Sequence, residues 1–76
     1  MNQSESAFQK QFHLTAREFE VIALCSEGLS NKLIARRLGV GTQTVKSHVS
    51  AAMVKLGVPN RAGAAAAFIR YARPSE

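Results

Sequence analysis

Residues 31–50 read NKLIARRLGVGTQTVKSHVS, and this stretch decides the fold. Its small and apolar residues fall at the offsets of two short helices that cross. Ala35 sits where the helices approach, Gly39 turns between them, and Val45 locks the second onto the first. At about 100° per residue, Ile34, Ala35 and Leu38 share the inner side of a helix spanning 31–38, while Lys32, Arg36 and Arg37 face outward. The turn Gly39, Val40, Gly41 leads into a second helix at about 42–56. This is the pattern of a helix-turn-helix, and a polar outer face on its second helix is what a reader of duplex DNA requires.

The second helix divides by angle. Val45, Val49, Ala52, Met53 and Leu56 form a core stripe, and Gln43, Ser47, Ser50 and Val54 point the opposite way with Lys46 at their edge. The outward face is expected to enter the major groove. Gln43 can pair with adenine, Lys46 can donate to the O6 and N7 of guanine, and Ser47 and Ser50 suit either kind of edge group. Thr44, His48 and Lys55 follow one flank, where they would run beside a phosphate strand, and Thr42, Asn31 and Lys32 are further phosphate donors. The plainer readings are that Thr44 is an extra helix cap and His48 a satisfied flank residue.

Working outward, Thr15 with Glu18 three residues later makes a capping box for a helix running to about residue 27. Leu14, Val21, Ile22 and Cys25 lie within one arc of it, so Cys25 reads as a small core residue. Gly28 ends this helix and Ser30 caps the next. After the break at Gly57, Val58 and Pro59, Asn60 caps a fourth helix over about 61–72. That helix carries two apolar faces, Ala62, Ala65, Ala66 and Ile69 on one and Ala64, Ala67, Phe68 and Tyr71 on the other. Its own chain can bury only one. The second set is assigned as a dimer interface, against the plainer view that alanines merely favour helix. Residues 1–13 are expected to be a tail or linker, with Phe8 and Phe12 able to pack as an ordered extension, and 14–73 to be the folded unit.

Charge supports the same reading. From Gly28 to Ser75 there are Lys32, Arg36, Arg37, Lys46, Lys55, Arg61, Arg70 and Arg73 and no carboxylate, within a chain of net charge +5. A one-signed surface over the motif suits phosphate, although a merely solvated basic face would look similar. Seventy-six residues make one small domain, able to bury about 60% of its unfolded surface. The lone Cys25 excludes an internal disulfide, and with only His13 and His48 besides there is no zinc cluster, so neither metal nor cofactor is expected. No apolar run approaches a membrane span, and the N-terminus lacks the order of a signal peptide, so a soluble, cytoplasmic and nucleoid-associated protein is expected.

Several ordered motifs, LTARE at 14–18, GLSNK at 28–32, IARRLGV at 34–40, TVKSH at 44–48 and KLGV at 55–58, together with Arg61 and Ala64, make residues 14–68 resemble the DNA-binding domain of the LuxR family of bacterial transcription regulators, also called GerE-like or FixJ/NarL-type. The resemblance implies an all-α, four-helix domain whose third helix reads the major groove and whose fourth often pairs subunits. It implies base-facing roles for Lys46 and Ser47, with Gln43 and Ser50 beside them, and backbone roles for Asn31, Lys32, Thr44 and Lys55. Gly41 departs from it, standing where a capping Ser is usual, and Ser50 and Ala51 stand where longer polar side chains are frequent. Family domains often follow a receiver or ligand-binding domain; these residues are expected to take neither a phosphoryl group nor a small signal molecule.

The expectation is therefore a sequence-specific, DNA-binding transcription regulator acting as a homodimer. The alternative is an interaction module that binds RNA polymerase or another regulator through apolar surface residues such as Phe19, Leu33 and Val54. A fragment resembling a sigma factor's promoter-binding region fits the LTARE and TVKSH pairing less well. An enzyme is not expected, since beyond the first predicted helix the only carboxylates are Glu76 and the C-terminus.

Overall fold

The computed structural model describes residues 7–72. Among them every regular element is helical: α1 (Ala7–Gln11), α2 (Ala16–Ser26), α3 (Asn31–Leu38), α4 (Thr42–Leu56) and α5 (Arg61–Ala67), followed by a π-helical turn (Phe68–Ala72). The all-α architecture expected of the sequence is present, with α3 and α4 forming the helix-turn-helix.

Local chemistry sets the boundaries. Thr15 and Glu18 complete the capping box of α2: the Glu18 amide donates to the Thr15 hydroxyl at 3.0 Å, and the Thr15 amide donates to Glu18 Oε1 at 2.9 Å. The Ser30 and Asn60 side chains cap α3 and α5 by accepting from the amides of Leu33 and Gly63. Gly39 closes α3 at φ 70°, a left-handed conformation that a side chain would strain, and its own amide donates to the Ala35 carbonyl.

Two apolar clusters share α2 and α4. Val21 and Cys25 of α2 pack with Ile34 and Ala35 of α3 and with Val45 and Val49 of α4. On the other side Ile22, Ala52 and Ala64 join Leu14 and Phe8, and Met53 touches both clusters. Burial pushes the Cys25 thiol up, with Arg61 opposing weakly, as befits a core residue.

Of the two expectations for the segment before Leu14, a tail or an extension ordered by Phe8 and Phe12, residues 7–13 take the second. The segment is helical from Ala7, with Phe8 only 4% exposed. The physical reason is aromatic: the Phe8 ring lies 5.3 Å from Phe12, 6.4 Å from Phe19 and 6.2 Å, edge-on, from Phe68. Phe19, expected on the surface, is thus a half-buried member of this cluster. Residues 1–6, and 73–76 at the other end, lie outside the described residues.

Glu18 ties these parts together. The residue is only 6% exposed, and its carboxylate, besides capping α2, accepts from Lys55 Nζ at 2.7 Å. The same ammonium donates to the His13 carbonyl at 3.0 Å. His13 holds a left-handed φ of 57°, which costs a non-glycine residue about 1 kcal/mol and turns the chain between α1 and α2. Burial raises the Glu18 carboxyl, but the Lys55 bond, the Thr15 amide and the charges of Lys55 and His48 outweigh it, and the group titrates below its usual 4.5.

A depressed folded-state value means that Glu18 stabilises the fold above its unfolded pKa, and that this contribution is lost as pH falls through the folded value. Glu18→Gln is expected to cost about 1 to 2 kcal/mol at neutral pH, with the difference from the parent shrinking below pH 4.5. Urea unfolding of both proteins from pH 7 to pH 3 checks it; a gap that stays constant over that range refutes the assignment.

Candidate nucleic-acid interface

The face of α4 opposite the core is open. Val45 and Ala52 are fully buried and Val49 is 7% exposed, whereas Gln43, Lys46, Ser47 and Ser50 are all exposed, and Val54 is 81% exposed. The four residues expected to meet bases therefore share one accessible surface, on a helix whose opposite side is held by both clusters.

The expected phosphate set separates into two groups. Lys32, Thr42 and Thr44 are exposed, near the starts of α3 and α4. Asn31, His48 and Lys55 are bound up with the fold. The Asn31 side-chain oxygen accepts from Arg61 Nη1, and Arg61 Nη2 donates to the Leu29 carbonyl at 2.6 Å. Because a guanidinium only donates, this bond fixes which end of the Asn31 amide faces Arg61 and leaves its nitrogen as the donor for any outside acceptor. Arg61 is the positioning residue that sequence reasoning passed over; the family motif containing it was the only hint.

Lys55 is corrected more firmly. Its ammonium is engaged by Glu18 and the His13 carbonyl, so it closes the α2 to α4 contact rather than reaching outward. His48 is half-buried on the same side, close enough for its charge to act on Glu18.

The dimer face expected on the last helix is also corrected. Ala64 is fully buried, and Ala67 and Phe68 pack against the core cluster beside it. Of that set only Tyr71, 65% exposed and flanked by the Arg70 guanidinium at 5.9 Å from its ring, is free. Exposure lies instead on the other face, at Ala62, Ala66 and the 47% exposed Ile69. The long-range contact with Phe8 and Phe19 chose the face that Phe68 occupies.

Among the described residues no group of three or more His, Cys, Asp or Glu could hold a metal ion, and no helix is long and apolar enough to cross a membrane. The helix-turn-helix exposes Lys32 at the start of α3, Arg36 and Arg37 in its last turn and Lys46 in α4, and no carboxylate lies in the sequence between Gly28 and Ser75.

Comparison with known proteins agrees with this geometry. The sequence profile described as "Bacterial regulatory proteins, luxR family" matches residues 13–68. The chain is 40% identical over 70 residues to the uncharacterized transcriptional regulatory protein YhcZ of Bacillus subtilis, covering 92% of this chain and 33% of that protein. It is 48% identical over 58 residues to the transcriptional regulatory protein LnrK of Bacillus subtilis, covering 76% and 26% respectively. With the transcriptional regulatory protein DegU of Brevibacillus brevis it shares 39% identity over 67 residues, covering 87% and 28%. The chain thus spans a third or less of the length of these relatives.

The start of α4 carries a correctable weakness. Gly41 is its N-cap in extended backbone, φ −78° and ψ 156°, with no side-chain cap bond, and a Cβ there would meet only Thr44 Oγ1 at 4.0 Å. Gly41→Ser fits this backbone and supplies the missing acceptor, so it is expected to stabilise the fold by about 0.5 to 1 kcal/mol. A urea midpoint equal to or below the parent's would contradict this account of the helix start.

Proposed function

The chain belongs to the LuxR family of bacterial regulatory proteins, and from this premise we propose that it is the DNA-binding unit of a transcription regulator, reading the major groove with α4. One observation carries the proposal: a 15-residue helix buried along one side presents Gln43, Lys46, Ser47 and Ser50 along the other, in a segment whose own charged residues are all basic. Relatives named as transcriptional regulators support the same role.

Recognition follows from the donors and acceptors. Lys46 donates to guanine O6 and N7, Gln43 pairs with the N6 and N7 edge of adenine, and the two serines adapt to either partner. Lys32, Thr42, Thr44 and the Asn31 amide nitrogen take phosphate oxygens, fixing register without discriminating sequence. Two copies paired through Ala62, Ala66 and Ile69 would place their α4 helices in successive major-groove segments about 34 Å apart on a two-fold symmetric site. Binding of this kind needs no cofactor and involves no chemical step. Its setting is the bacterial cytoplasm, where the chromosome is accessible.

Selection from a random duplex pool at several salt concentrations tests the proposal. A two-fold symmetric motif with affinity falling steeply in salt supports it; salt-sensitive binding without any motif, or no binding at low salt, refutes it. Lys46→Ala is expected to weaken the selected site by about 1 to 3 kcal/mol and to relax one column of the motif, and an unchanged motif removes Lys46 from the reading set. Ala66→Glu, at an exposed position, is expected to leave the fold intact and abolish pairing on a two-half-site duplex, as measured by sedimentation; unaltered stoichiometry refutes the interface.

A further inference from the structure

Val54 is unexplained by the fold. It is 81% exposed, the most exposed large apolar residue among those described. Nothing local favours it there, since a β-branched residue is a mediocre helix former and an exposed valine buries nothing. It does not lie on a stray surface. At about 100° per residue it falls in the middle of the arc shared by Gln43, Ser47 and Ser50. Ser50, one turn earlier, is too short to cover it, and the neighbouring Lys55 is turned away to Glu18 and His13. An uncovered methyl pair thus continues the polar reading face towards the C-terminal end of α4.

Only one apolar group is displayed in the major groove, the C5-methyl of thymine. We propose that Val54 is a specificity-determining residue that packs on the C5-methyl of a thymine. This rests on the reading of α4 as the helix that enters the groove. Val54 is eight residues beyond Lys46, about 12 Å along the helix axis at about 1.5 Å per residue, and because the helix lies inclined to the duplex axis this spans at most about three to four base pairs at about 3.4 Å each. The thymine is therefore expected within that span of the base pair read by Lys46, in each half-site. The serines between them discriminate weakly, so this methyl contact supplies sequence information that the short polar side chains do not.

The test uses the whole chain and the duplex motif it selects. Deoxyuridine replaces each thymine singly, which removes only the C5-methyl, and binding is followed by fluorescence anisotropy for the parent and for Val54→Ser. The expected result is a thymine column within the stated span, an approximately fourfold loss of parent affinity on uridine replacement there, the value of one buried methyl, and no loss for Val54→Ser. Val54 is exposed, so this variant keeps its fold. If the parent selects a motif but no single uridine weakens it, or Val54→Ser is as sensitive as the parent, the methyl contact is refuted while the DNA reading stands. If the parent selects no motif, the DNA reading itself falls, and the assignment of Val54 with it.

Discussion

A single buried carboxylate, Glu18, is the constraint on which the arrangement of this domain depends. Its bonds reach backward to the first turn of α2, across to the last turn of α4, and through Lys55 to the carbonyl of His13. A charge on a residue only 6% exposed is tolerated only when its acceptor sites are filled, and here an amide and an ammonium fill them. Removing either partner would leave an unpaired charge at the junction of α1, α2 and α4. The orientation of α4 is therefore fixed at its C-terminal end by an ion pair and along its N-terminal half by Val45 and Val49, so its exposed face is held from both ends.

The division of the core serves the same purpose. Because α2 and α4 each contribute to both apolar clusters, neither cluster can loosen without disturbing the other. Arg61 adds a polar tie by joining the start of α5 to the start of α3. The aromatic group on the far side clamps α1 to the π-helical turn. In a chain this short, with little apolar area to bury, such ties between sequence-distant residues substitute for a larger core.

Which parts of this were legible in the sequence follows from the range of the forces involved. The capping box at Thr15, the caps at Ser30 and Asn60 and the turn at Gly39 act within a few residues, so residue type and spacing disclose them. The core stripe of α4 was equally legible, because 15 residues give a periodicity several turns to express itself. Helix α1 was not: five residues are too few for a periodic pattern, and its stability comes from ring contacts with Phe19 and Phe68. The buried face of α5 was misassigned because alanine on either side is equally apolar, so the choice fell to Phe68 and its distant partners. Lys55 lost its expected outward role to a partner 37 residues away, and the Asn31 oxygen is taken by Arg61, 30 residues away, separations at which spacing rules say nothing.

These long-range contacts have a common consequence for the surface that remains. The polar side chains enlisted by the fold, Glu18, Lys55, Asn31 and Arg61, all lie off the outward arc of α4, so the groups on that arc stay accessible and are oriented by a rigid helix. Preorganisation reduces the ordering cost of association, which matters because Ser47 and Ser50 offer few strong bonds and a single copy has little contact energy to spend. Pairing two copies would then multiply weak half-site affinities, since the second half-site binds from a high effective concentration. Modest donors on a stiff, doubly anchored helix are thus a coherent combination under the proposed function: discrimination would be gained through geometry and pairing rather than through the strength of any one contact.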